Sequence, residues 1–178
     1  IKNWNNVVAK DDIVYVLGDF TLSRRKEYIA ELCSRLNGSK VLIMGNHDSG
    51  ATKYKREVVQ EIYDQDHFTR EEAIADMQAK YPGWKVWASE SYEFHSPFVR
   101  WNVYADNCLF DEVYEGALIV SEKLILSHEP VDIPWAFNIH GHDHAGAKRA
   151  NHLNVCSDVI GYKPVNFNQF LKSGAMSK

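Results

Sequence analysis

Apolar positions in this chain fall into short runs that stop at glycine or at polar clusters, and their period changes along the sequence. Ile13-Val-Tyr-Val-Leu17 is β-branched and apolar and stops at Gly18-Asp19, which predicts a buried strand with a carboxylate at its end. From Ser23 to Leu36 the apolar residues Tyr28, Ile29, Leu32, Cys33 and Leu36 recur at helical spacing, with Ser23 as N-cap and Gly38 beyond the end. The expectation is an amphipathic helix packed on a sheet. Lys40-Val-Leu-Ile-Met44 predicts a second buried strand, ending in Gly45-Asn46-His47-Asp48. Strand, helix and strand at this spacing form a βαβ unit, so the strands should be parallel and Asp19 and Asn46-His47 should emerge on one sheet edge.

Beyond Gly50 the pattern predicts a helix from about Lys53 to Tyr63. A second follows Thr69, whose hydroxyl and Glu72 form a capping-box signature, and ends before Pro82-Gly83. An aromatic stretch from Trp84 to Phe110 carries no assignable strand order. Ala117-Leu-Ile-Val120, the turn Ser121-Glu-Lys123 and Leu124-Ile-Leu-Ser127 read as a hairpin whose second arm ends at His128. Ala136-Phe-Asn-Ile139 runs into His140-Gly-His-Asp-His144, with Leu153-Asn-Val-Cys156 as its neighbour, and Asn166 caps a short helix through Leu171.

The composition narrows the function classes. With 178 residues, 45% hydrophobic and 12% aromatic, the chain supports one globular domain with a substantial core. A net charge of −4 speaks against a partner held by bulk charge, such as duplex DNA or an anionic membrane. Three scattered cysteines (Cys33, Cys108, Cys156) do not form a disulfide framework, which suggests a reducing, cytoplasmic setting. No run approaches the roughly 20 apolar residues of a membrane span.

Asp19, Asn46-His47-Asp48, His128, His142 and His144 all follow predicted strand ends. Imidazole with carboxylate suits borderline divalent ions such as Mn, Fe, Zn, Co and Ni. A site for two such ions needs an oxygen anion between cations about 3.5 to 4 Å apart, a place Asp19 can take. Alternation along an extended segment would put His142 and His144 on one face.

In order and placement, Gly18-Asp19, Gly45-Asn46-His47-Asp48, the isolated His128 and Gly141-His142-Asp143-His144 resemble the calcineurin-like metallophosphoesterase superfamily, in particular its small bacterial and phage members. The resemblance covers residues 1–50 and 109–170. It implies an α/β, four-layer sandwich of two mixed sheets flanked by helices, forming one domain over residues 1–178 with a helical and aromatic insertion at 51–108. It further implies a strand ending Asp-x-His upstream of Ile1. By the same resemblance Asp19 bridges two divalent ions, manganese first among the candidates. Asn46, His128 and His142 hold the second ion, and His144 reaches the first. His47 then serves as general acid, and Asp48 orients His47 or a neighbouring loop. The implied chemistry is attack of a metal-activated hydroxide on a small phosphodiester or phosphomonoester.

Other readings compete with parts of this one. His140 reads as structural, and His67, His95 and His152 as surface or packing residues. Asp158 either approaches the site or caps a turn before Gly161. His-x-His-Asp-His is one residue short of the metallo-β-lactamase pattern, which excludes that family. Residues 51–115 carry 7 basic and 13 acidic side chains, a balance of −6 against +2 elsewhere. That balance repels a polyphosphate backbone, so extended nucleic acid is not expected as substrate. The 51–108 insertion, with its 84–110 aromatic stretch, reads first as a satellite core or oligomer contact, and second as a lid or base-stacking platform over the metals. A catalytically impaired binding or regulatory scaffold is the alternative to the hydrolase, and a nuclease the third reading.

Overall fold

The computed structural model describes residues 1–48, 50–92, 99–146 and 149–174. Over these it is a mixed α/β fold with three sheets and few, short helices, divided into two compact units.

The first unit comprises residues 1–23, 35–55 and 110–178. Its first sheet is parallel, in the order β1 (Ile13–Leu17), β2 (Ser39–Ile43) and β6 (Glu112–Tyr114). The pairing of Leu17 with Ile43 brings the polar ends of β1 and β2 together, as the βαβ reading expects. The second sheet runs β10 (His152–Asn154), β9 (Phe137–His140), β8 (Leu124–Ser127), β7 (Leu118–Ser121). Strands β7 and β8 form the expected antiparallel hairpin, whereas β8, β9 and β10 are parallel. Ser127 therefore lies beside His140, and the residues after both strands leave the sheet on the same side.

Leu17 and Ile43 of the first sheet pack with Leu124, Leu126 and Ile139 of the second into one buried cluster, flanked by Tyr114, Phe137, Leu153 and Phe170. Burying each such side chain contributes about 1.5 to 3 kcal/mol. The first helix is a single turn, α1 (Lys2–Asn5), and the last is α4 (Phe167–Lys172), capped by Asn166 Oδ1 accepting from the Gln169 N–H at 3.1 Å.

The second unit comprises residues 24–34 and 56–109. Helix α2 spans Lys26–Ser34 and buries Ile29, Ala30 and Cys33. It starts three residues after the expected cap Ser23, and Arg25, whose carbonyl accepts from the Ile29 N–H at 3.1 Å, stands at the N-cap position instead. The expected helix at 53–63 is a second correction. Residues 51–53 form one 3-10 turn, and Val58–Asp64 is strand β3, antiparallel to β5 (Val99–Asp106), which also pairs with β4 (Lys85–Tyr92). In Val-Val-Gln-Glu-Ile-Tyr-Asp the alternation puts Val59 and Tyr63 inward and leaves Val58 and Ile62 exposed. Cross-strand pairing with β5 outweighs the weak helical spacing.

Helix α3 (Arg70–Lys80) carries the expected capping box, the Thr69 hydroxyl accepting from the Glu72 N–H and the Glu72 carboxylate from the Thr69 N–H. Its Ala73 and Met77 cover one face of the β3-β5-β4 sheet at Tyr63, Val103 and Ala105. On the other face Trp87 stacks on Tyr104, with centroids 5.3 Å apart. Asp106 is 2% exposed, and Arg56 Nε donates to it at 3.0 Å.

Candidate metal centre

Strand β1 ends at Leu17, and the next two residues turn sharply through the left-handed region, with φ of 81° at Gly18 and 49° at Asp19. The bend exposes the Leu17 carbonyl, which accepts a hydrogen bond from His128 Nδ1 at 2.9 Å. Only glycine fits at position 18, because a Cβ there would lie 2.2 Å from that same Nδ1. The loop after β2 closes on the loop after β1. Asp48, 3% exposed, accepts through Oδ2 from the N–H of Asp19 at 2.7 Å and of Gly45 at 3.0 Å. The His47 N–H donates to Asp19 Oδ1 at 3.0 Å, so the Asp19 carboxylate is held by the loop that carries His47.

His128 follows β8 and is buried. The loop behind it is fixed by Asn138, in the middle of β9, whose Nδ2 donates to Ser127 Oγ at 2.8 Å and whose Oδ1 accepts from the Val131 N–H at 2.9 Å. His142 reaches the same place by a turn. Strand β9 stops at His140, and His142 has a φ of 51°, so the expected extended alternation of His142 and His144 does not occur.

His128 Nε2 lies 3.0 Å from Asn46 Oδ1, 3.4 Å from Asp19 Oδ2 and 2.9 Å from His142 Nδ1. A carbonyl can only accept, so His128 Nδ1 carries its proton toward Leu17 and leaves Nε2 with a lone pair in the neutral ring. Three lone-pair atoms thus converge, and His142 Nδ1 is hydrogen-bonded to one of them, His128 Nε2. Without a cation they repel one another. The donor set of carboxylate, carboxamide and two imidazoles is that of a borderline divalent ion. Asp19, His128 and His142 also satisfy the spacing of a cation site, their ligand atoms lying within 4.8 Å of one another.

A calcineurin-like phosphoesterase family model matches residues 1–157. The chain belongs to that family. The chain is 30% identical to the uncharacterized protein MJ1445 of Methanocaldococcus jannaschii over an alignment of 187 residues, covering 97% of this chain and 71% of that protein. It is 47% identical over 49 residues to the Gene 66 protein of Mycobacterium phage L5, covering 26% and 24%. In fold it is similar to AQ665 of Aquifex aeolicus, a protein of unknown function, with a TM-score of 0.52 and 21% identity over 97% of this chain and 81% of that one.

Divalent ions are what this family generally uses, and the cluster at Asp19 fits them. His144 stands apart from that cluster. It lies in a group with Cys156 and Asp158, its Nδ1 hydrogen-bonded to Asp158 Oδ2. His47 is exposed at the rim of the Asn46 loop. His140 is fully buried, and its Nδ1 bonds the Gly141 carbonyl at 3.0 Å. Burial pushes its pKa below the ordinary value. Its ring meets that of His152 at 5.4 Å, and His152 Nε2 in turn bonds Asp132 Oδ1 at 3.0 Å. His67 is exposed, and His95 lies outside the described residues. Asn138 is a supporting residue absent from the predicted site, whereas Asp158, expected either to approach the site or to cap a turn, bonds His144 Nδ1. The signal for Asn138 was an amide in the middle of an apolar strand, where an unpaired polar group would be costly.

Proposed function

We propose that the protein is a divalent-metal-dependent phosphoesterase acting on a small phosphodiester or phosphomonoester. The observation that carries this reading is the convergence of Asp19, Asn46, His128 and His142 from four strand ends onto a point rich in lone pairs. These four residues would hold the cation, manganese being the first candidate, with Asp19 placed to serve a second ion and His144 as a further ligand. Bound divalent ions supply neutralisation of the phosphoryl charge and a lowered pKa for the attacking water.

The chain's own residues do the rest. Asp48 keeps the Asp19 and Asn46 loops in register, so that carboxylate and carboxamide present their oxygens together. Asp19 Oδ1 anchors the His47 backbone, which leaves the His47 ring at the open rim, where an imidazole is suited to protonate a leaving alkoxide at neutral pH. The acidic balance of residues 51–115 favours small esters over an extended polyphosphate backbone. Three free cysteines fit a reducing, cytoplasmic setting.

The test is hydrolysis of bis-p-nitrophenyl phosphate and p-nitrophenyl phosphate by the purified chain with Mn2+. Activity that is lost in Asp19→Ala and falls in His47→Ala supports the reading. Absence of turnover on both esters, or activity indifferent to both substitutions, overturns it in favour of a binding scaffold on the same fold.

A further inference from the structure

The second group of metal-type residues, His144, Cys156 and Asp158, has a different hydrogen-bond logic from the first. At Asp19 acceptors face acceptors. At Asp158 each carboxylate oxygen meets a donor: Oδ2 accepts from His144 Nδ1, and Oδ1 accepts from the Tyr162 hydroxyl. Donors and acceptors balance there, which is the arrangement of a support and not of a cation cage.

The backbone around the group is tied in the same sense. Asn154 Nδ2 donates to the Asp143 carbonyl at 2.6 Å, and Asn154 Oδ1 accepts from the Cys156 N–H at 2.9 Å. One side chain thus joins the loop carrying His144 to the turn carrying Asp158. That turn is closed by Val159 N–H to the Cys156 carbonyl at 2.9 Å and Tyr162 N–H to the Ser157 carbonyl at 2.8 Å. The His144 side chain is 67% exposed, and among the described residues its ring is held by its bond to Asp158.

An ionised carboxylate can only accept, so the nitrogen facing it must carry the proton. We propose that Asp158, braced by Tyr162, is the positioning residue of His144, holding its imidazole as the Nδ1–H tautomer so that Nε2 keeps its lone pair for a cation. This inference rests on the phosphoesterase reading for its purpose, whereas the tautomer itself is a property of the metal-free chain. Free imidazole rings favour the opposite tautomer in water, so an unsupported His144 would present Nε2 blocked by a proton for most of the time.

Nitrogen-15 NMR of histidine-labelled, metal-free protein at neutral pH reads the tautomer, and titration with Mn2+ alone reads the affinity. The wild type is expected to show His144 as Nδ1–H. Asp158→Ala should move it to the Nε2–H form and weaken Mn2+ binding about 10- to 100-fold, Asp158→Glu should recover both, and Tyr162→Phe should fall between. Circular dichroism is expected to be unchanged, since Asp158 and Tyr162 are both exposed. A wild-type His144 that is not Nδ1–H, or one unaffected by Asp158→Ala, overturns the proposal, as does unaltered Mn2+ affinity when the tautomer is lost. A wild type that binds no Mn2+ yet shows the Nδ1–H form, lost in Asp158→Ala, overturns the phosphoesterase reading and leaves the tautomer assignment standing.

Discussion

The Asp48 carboxylate accepts a hydrogen bond from the Asp19 N–H at 2.7 Å, and with the same oxygen it accepts one from the Gly45 N–H at 3.0 Å. A single buried side chain therefore couples the ends of two parallel strands, and with them the carboxylate of Asp19 and the carboxamide of Asn46. Asp48→Ala leaves two N–H groups without their acceptor, each costing about 1 to 3 kcal/mol when buried. A fall in stability of about 2 to 4 kcal/mol in urea denaturation, together with weakened Mn2+ binding, is the expected result. Unchanged affinity would show that the two loops hold their register without it.

Glycine is required where the loops touch. A Cβ on Gly45 would sit 2.3 Å from Asp19 Oδ1, and one on Gly141 would sit 2.5 Å from the Leu17 carbonyl oxygen. Gly45→Ala should therefore displace the Asp19 carboxylate and abolish Mn2+ binding in calorimetry, although alanine adds no charge. Gly116→Ala, where a Cβ meets nothing within 4 Å, is the control expected to bind normally.

Removing the cation should cost stability, because the lone pairs of Asp19, Asn46 and His128 then face one another unscreened. At Mn2+ one hundred times its Kd the native state gains about 2.7 kcal/mol, seen as a raised Tm that EDTA reverses. Asp19→Ala and His142→Ala should lose this shift. A Tm rise that persists in both variants would place the ion elsewhere.

His140 makes stability depend on pH. Its pKa is lowered by burial from the ordinary 6.5, so below that pH the unfolded chain takes up a proton that the native chain refuses. The contribution is fully present above pH 6.5 and is lost as the pH falls toward the folded pKa. Denaturation midpoints followed downward from pH 7 should drop in the wild type and drop less steeply in His140→Gln. Parallel slopes would assign the acid sensitivity to other groups.

Asp106 is nearly fully buried, accepts from Arg56 and also receives the Cys108 N–H at 2.8 Å. Breaking a buried ion pair costs about 3 to 5 kcal/mol, but Arg56 is 42% exposed and can rehydrate, which lowers the figure. Asp106→Ala is expected to destabilise the chain by about 2 kcal/mol in chemical denaturation, with Mn2+ affinity at Asp19 retained. Lost affinity would contradict the assignment of Asp106 to a separate structural role.

Local chemistry made much of this protein legible. The strands β1, β2 and β8 are apolar runs ended by glycine or polar residues, the Thr69 box and the Asn166 cap are encoded within four residues, and each reads correctly without a partner. Residues that end parallel strands must emerge together, which is why Asp19 and Asn46 are recognisable as a pair before any distance is known, whereas His128, at the end of a hairpin arm in another sheet, joins them only through the order of motifs that carries the family resemblance. Residues 53–63 misread as helix because Val, Ile and Tyr gain their strand preference from a partner strand, and β5 lies some forty residues away.

Sequence by itself determined which groups stand at strand ends and hence what kind of ion could meet there. Only the tertiary structure decided how each nitrogen and oxygen is spent. That the Leu17 carbonyl accepts from His128 Nδ1, that Asp48 serves two backbone N–H groups, and that His144 turns its Nδ1 to Asp158 all depend on left-handed turns and on contacts between distant segments. Hydrogen bonds of that kind are directional and nonlocal, so no periodicity along the chain records them.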